Sequence, residues 1–347
     1  MDDIGRFKIR TVKSIQTKDV PAYTRIITSA LHGVTLAAEN GDAHDLALAC
    51  RFLCLIPPML LRAPAKAVTQ RIDAFLLGDL KLCARGLLSV PDNYVPRAHR
   101  TPMQTKHQAA AACVFDGQFS KALTALLRQE TSTTYEARME AMMMKHPPRS
   151  PQDHAMIQAL PGSLPSRPIP IETVYNTIRK PTRRGIAPGP NGDRFEHLQS
   201  TIHDPYGNAE ASSLLHVLMR FVNLEKDGRL PDEWYDYNTS AILIAHGEKI
   251  RPLGMGSTGR KLVSAALLAT NAKEIHNEFA PFQLSYAVKN GCEAVVHFLR
   301  RMHELRGNTH VIITLDVSNA FNSVSRLQGL LSIAQALPEV YTHANQT

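Results

Sequence analysis

Cysteine is sparse and badly placed for structural work. The chain has five, an odd number, and no C-x-x-C pair occurs. That pattern argues against a disulfide framework or a zinc ribbon and for a reducing compartment. Cys50 and Cys54 stand one helical turn apart with no second ligand pair at metal spacing, so they read as buried helical thiols. No apolar run is long enough to cross a bilayer, because the greasiest stretch, 52–61, is broken by Pro57 and Pro58. Residues 1–10 are charged and lack the apolar core of a secretory signal. The expectation is a nuclear or cytoplasmic protein, not secreted, with no membrane partner. No internal repeat is visible.

What is present is ordinary globular material. The 347 residues suffice for one large domain or two smaller ones, and 44% hydrophobic with 20% charged residues supplies a core. The net charge of +8 favours an anionic partner such as nucleic acid or a membrane surface. Residues 1–19 are polar and basic and read as frayed. Helical spacing begins at Pro21. Leu46, Cys50, Leu53 and Cys54 repeat at helical intervals behind Asp42, an N-cap residue type, and Pro57-Pro58 are expected to end that helix. A second helical stretch covers 66–85. Phe119, Ala122, Leu123, Leu126 and Leu127 then make one apolar stripe.

Prolines crowd the next segment, at 147, 148, 151, 161, 165, 168 and 170. This reads as a linker, dividing the chain into a helical region (1–146), a Pro-rich linker (147–170) and a final region (171–347). In that final region strands join the helices. Helices are expected at 171–180, 209–226 and from Ser257 or Thr258 to Ile275, with a hairpin at 241–253 between the second and third. Asn290 with Glu293 resembles a helix-starting capping pair. Val311, Ile312, Ile313 and Leu315 then read as a buried strand ending at Asp316, and a last helix runs from 323 to 336. A buried carboxylate at a strand end costs several kcal/mol unless something pairs with it, and a metal ion is one such partner. A turn-capping Asp is the plain alternative.

Four stretches in order give this reading a family. Ile312-Ile313-Thr314-Leu315-Asp316-Val317-Ser318-Asn319-Ala320-Phe321-Asn322-Ser323-Val324 resembles the first catalytic palm motif of reverse transcriptases of non-LTR retrotransposons. Ala187-Pro188-Gly189-Pro190-Asn191-Gly192-Asp193 resembles the "PGPDG" turn of their fingers, with Asn191 where Asp is usual. Ile250-Arg251-Pro252-Leu253, followed by Arg260-Lys261-Leu262-Val263-Ser264, is similar to their "VRPI" strand and the helix after it. Gln283-Leu284 through Asn290-Gly291-Cys292-Glu293-Ala294-Val295-Val296-His297 resembles their "QLG…GGAEAAVH" segment.

The resemblance implies an α+β fold: a helical N-terminal region, then an incomplete right-hand polymerase fingers/palm domain. It implies Asp316 as catalytic residue and metal ligand, with Mg²⁺ as cofactor. It implies Phe321 beneath the sugar of an incoming deoxynucleoside triphosphate, and Arg251 and Lys249 on its phosphates. An arginine fork suits phosphate oxygens, although Arg251 could equally pair with Glu248 in an ordinary hairpin. Arg183, Arg184, Arg260 and Lys261 would contact phosphates of an RNA or DNA template or primer, or else form plain solvated faces.

Two-metal phosphoryl transfer needs several converging carboxylates. After Asp316 the only acid is Glu339, and no [FY]-x-D-D occurs. The chain is therefore expected to be inactive alone, with residues 309–347 poorly stabilised. The alternatives are a non-catalytic nucleic-acid-binding module and a helical interaction protein built from 20–145.

Overall fold

The computed structural model describes residues 11–85, 102–115, 119–127, 140, 143–145, 150–235, 238–243, 250–286, 288–309, 311–317 and 320–346. The N-terminal helices are α1 (Val20–Asn40), α2 (Ala43–Leu60), α3 (Val68–Leu76), α4 (Leu80–Ala84), α5 (Pro102–Phe115) and α6 (Phe119–Leu127). Beyond them come α7 (Pro151–Gln158), α8 (Ile171–Arg179), α9 (Phe195–Thr201), α10 (Ala209–Lys226) and α11 (Asp232–Tyr235). The hairpin β1 (Asn238–Leu243) and β2 (Ile250–Met255) precedes α12 (Thr258–Thr270), α13 (Ala272–Phe279) and α14 (Gly291–Arg306). The C-terminal helices are α15 (Ala320–Ser323), α16 (Arg326–Ala336) and α17 (Pro338–Asn345).

The core forms around α10. Asn208 starts that helix by accepting from the Glu210 and Ala211 N–H groups, at 2.9 and 3.1 Å. Gly228, at φ +68°, turns the chain away after its last turn. Leu214, Val217, Leu218, Phe221 and Val222 recur at three- and four-residue intervals, and all are buried. Against this stripe packs α1, through Tyr23, Ile27, Leu31 and Val34. The α2 helix lies along α1, while α8 and α12 close the opposite side with Val174, Ile178, Leu262 and Val263. Truncating any such leucine to alanine costs about 2–5 kcal/mol. One core thus joins helices from both sides of the Pro-rich segment.

That segment is held along its second half. Asn223 of α10 clamps Ile169: the Ile169 N–H donates to Asn223 Oδ1 at 2.7 Å, and Asn223 Nδ2 donates to the Ile169 carbonyl at 3.1 Å. The Thr342 hydroxyl of α17 treats Leu164 the same way, at 2.9 and 3.1 Å. The Tyr341 hydroxyl donates to the Pro161 carbonyl at 2.7 Å.

Several expectations are corrected. The α+β fold with a polymerase palm is replaced by an almost wholly helical architecture. Among the described residues the only sheet is the antiparallel pair β1–β2. The expected buried strand before Asp316 has no regular structure over 311–317, and Val311 and Leu315 are 85% and 86% exposed. Strand-forming side chains do not make a strand without a neighbour for their backbone groups and a layer over their apolar face. Residues 11–19 are not frayed. Val12 N–H donates to the Leu61 carbonyl at 2.8 Å, and Thr11, Ile15 and Asp19 are buried. The α2 helix runs through Pro57-Pro58 to Leu60. Asn290 takes a left-handed conformation at φ 56° and makes no side-chain cap. The weak tail expected over 309–347 does not extend to α17, whose Tyr341 is fully buried.

Candidate functional site

The Gly/Pro segment 187–193 folds into a tight turn. Gly192 N–H donates to the Gly189 carbonyl at 2.9 Å, and Gly189 N–H to the Asp193 carbonyl at 3.0 Å. Pro190 pre-sets φ at the second position of the first of these turns. Gly189 is required by space, since a Cβ there would stand 2.0 Å from Asp193 Oδ1.

The turn docks on the N-terminus of α12. Asp193 Oδ2 accepts from Thr258 N–H at 2.9 Å. Ser257 accepts from Arg260 N–H at 3.1 Å, so two of the helix's orphan donors are satisfied. Lys261 returns the contact, its Nζ donating to the Ala187 carbonyl at 3.0 Å. Asp193 as a whole is partly exposed, but its Oδ1 is sealed from solvent. Burial pushes the Asp193 carboxyl above its usual range, against the pull of Thr258 N–H and the Lys261 ammonium. Burial pulls Lys261 down, with Asp193 opposing.

The same turn repairs α2. Proline has no N–H, so Pro58 cannot donate to the carbonyl four residues back, that of Cys54. Asn191 Nδ2 donates to that carbonyl instead, at 3.2 Å. An aspartate, the residue usual here in the family resembled, has no N–H to give. The N-terminal segment completes the joint. Thr11 Oγ1 donates to the Gly192 carbonyl, and His197 Nε2 donates to the Val12 carbonyl at 2.8 Å.

The residues singled out from sequence are spread around this joint. Lys261 is half-buried in it. Arg183 is half-buried, with its guanidinium 5.5 Å from the Phe195 ring centre. Arg184 is exposed. Arg260 is buried, and its guanidinium donates to the Tyr235 carbonyl inside the protein. Arg251 sits in β2 opposite Ile242 of β1. Lys249 lies outside the described residues, as do the side chains of Arg251 and Phe321. Asp316 is exposed, on the irregular segment 311–317.

A two-metal centre does not fit this donor set. Asp316 is a single carboxylate, and among the described residues no three His, Cys, Asp or Glu side chains converge as a metal site. Sequence reasoning missed the roles of Asn191, Asp193 and Thr258. The usable signal was Pro58 itself, which announces an unpaired carbonyl at Cys54.

No family model and no solved structure matches the chain. It is 27% identical over 156 residues to the "Retrotransposable element SLACS 132 kDa protein" of Trypanosoma brucei gambiense. The aligned part is 45% of this chain and 12% of that protein. This partial likeness supports a retrotransposon-related origin for the chain.

Proposed function

We propose that this chain is a retrotransposon-derived part of a reverse transcriptase, carrying stretches that resemble that family's motifs, the one around Asp316 among them. On its own it binds a template or primer strand without extending it. The observation that carries the reading is the joint between 187–193 and the start of α12, fastened by Asp193 to Thr258 and by Lys261 to Ala187. Those two stretches resemble successive fingers motifs, and here they fold against each other. The partial likeness to the retrotransposable-element protein supports the same reading. Arg184 and Lys261 flank the turn as candidate phosphate contacts for RNA or DNA. Deoxynucleoside triphosphates are the substrate class of the complete reaction, with Arg251, Lys249 and Phe321 as the residues that would meet them.

The test pairs binding with extension. Anisotropy of a labelled RNA–DNA primer-template should show affinity that falls steeply with salt, as phosphate contacts require. Primer extension with Mg²⁺ and deoxynucleotides should give no product. Affinity indifferent to salt would sink the binding claim. Robust extension that Asp316→Ala abolishes would sink the claim of inactivity.

A further inference from the structure

The segment 311–317 has the side chains of a strand and nothing to pair with. Val311, Ile312, Ile313, Leu315 and Val317 are all exposed, and among the described residues no backbone hydrogen bond reaches the segment. Fully extended, it would be two-faced. Val311, Ile313, Leu315 and Val317 would fall on one side, and Ile312, Thr314 and Asp316 on the other. It lacks a neighbour for its backbone and a layer over its apolar side. The α14 helix, one short turn earlier, has the converse lack. Val295, Phe298, Leu299 and Met302 recur at helical spacing, yet Val295 and Phe298 are exposed and Leu299 and Met302 only half-buried.

The stretch is complementary to itself. Two copies paired antiparallel must keep apolar side against apolar side, so the pair has to be centred on a residue and not between two. Centred on Ile313, Ile313 meets its own copy, Val311 meets Leu315 and Ile312 meets Thr314. The sequence then sets His310, which lies outside the described residues, against Asp316, the one acid of the stretch. Centred on Thr314, Asp316 would face Ile312 instead, and centred on Ile312 it would face Asn308. Neither of those registers offers the carboxylate a cation.

We propose that 311–317 is a self-association strand: two copies of this chain pair antiparallel about Ile313, and the α14 helices cover the apolar side of the resulting ribbon. Two short strands alone are marginal in water, and a helix packed on their apolar face is what makes such a pair hold. The assembly closes as a dimer, because both copies present the same edge to each other. The two His310–Asp316 contacts fix the register, since opposite charges across a strand pair are favourable and like charges are not. The pairing depends on no contact with nucleic acid and on no family resemblance.

Sedimentation velocity of the full chain over a concentration series tests it, with a monomer–dimer equilibrium expected. Ile313→Lys sets two ammoniums against each other at the centre and should leave only monomer, with the helical circular dichroism unchanged. Ile313→Cys should form an intermolecular disulfide under mild oxidation beyond that of the native chain, because the two Cα atoms would stand about 4.5–5.5 Å apart. Leu315→Cys should not, its two copies being about 13 Å apart along the strands. His310→Asp and Asp316→Lys chains should each dimerise less than the native chain and recover when mixed, since the mixed pair restores both charge contacts. A chain that stays monomeric throughout, or a dimer that Ile313→Lys leaves intact, overturns the proposal. So does cross-linking as ready through Leu315→Cys as through Ile313→Cys, or mixing without recovery.

Discussion

Asn191 and Cys54 stand 137 residues apart, yet the amide of one completes the backbone of the other at 3.2 Å. The proline that disables the Cys54 carbonyl and the asparagine that serves it lie on different elements. Replacing Asn191 by Ala should cost about 1–3 kcal/mol, the price of a buried acceptor left unmet. Asn191→Asp should cost at least as much, because it sets a carboxylate against a carbonyl. Urea unfolding midpoints of the two variants check this. An Asn191→Asp protein as stable as the native one would show that the amide is not needed.

Glu225 should make stability fall with rising pH. It is fully buried in α10, and burial pushes its carboxyl up to about 7, opposed by the Trp234 indole and the Arg260 guanidinium. The folded state therefore holds the proton to higher pH than the unfolded chain, whose glutamate titrates near 4.5. The contribution is fully present below that value and is lost as pH rises towards 7. Glu225→Gln should gain on the native protein across this window, by roughly 3 kcal/mol at full extent. Unfolding curves at about pH 5 and about pH 8 measure the difference.

The buried histidines act with the opposite sign. Burial lowers His197 and His343 to about 4, against an ordinary value of 6.5. Below that ordinary value the unfolded chain takes up protons that the folded chain refuses. Their contribution is present above 6.5 and is lost as pH falls towards 4. His197→Gln should flatten the acid limb of a stability–pH profile, and a limb of unchanged slope would remove His197 from the account.

The C-terminal helix should be held by its tyrosine. Tyr341→Phe removes only the bond to the Pro161 carbonyl and should cost about 1 kcal/mol. Tyr341→Ala also empties a fully buried site and should cost about 3–5 kcal/mol, as for other large aromatics. Limited proteolysis should then cut the 338–345 region of the alanine variant first.

The segment 311–317 should respond in the reverse manner. Ile313 is 75% exposed, so Ile313→Lys should change stability by no more than about 0.5 kcal/mol. It should also reduce aggregation, since the stretch is β-prone and carries one charge. Light scattering on heating measures that effect.

The elements set by local rules were legible. The α10 helix was read over its observed span because its stripe and its closing glycine lie within one window. Asp42 was recognised as a cap and does accept from His44 and Asp45, at 2.8 and 3.0 Å. The hairpin was read from a short apolar run followed by a turn and a second short run. The expected sheet was not there, because Val311 to Leu315 reported β-propensity and could not report the missing neighbour. The α17 helix went unread because Tyr341 and Thr342 are buried by partners some 180 positions away. At the candidate site the 187–193 turn was plain from its glycines and prolines. Its two anchors, Cys54 and Thr258, were not, since each is a backbone group and any residue type supplies one.

The long reach of these contacts governs the order in which the protein can assemble. The first helix has its main packing partner in α10, and the Pro161–Leu164 carbonyls find theirs only in α17. During synthesis the apolar face of α1 must wait for nearly two hundred further residues before it is covered. Non-local closure of this kind is slow, because loop entropy is lost before the contacts that offset it form. The neighbour that can shield that waiting face on the ribosome is α2, which packs along α1, and how well it does so sets how much of the newly made chain reaches its native state.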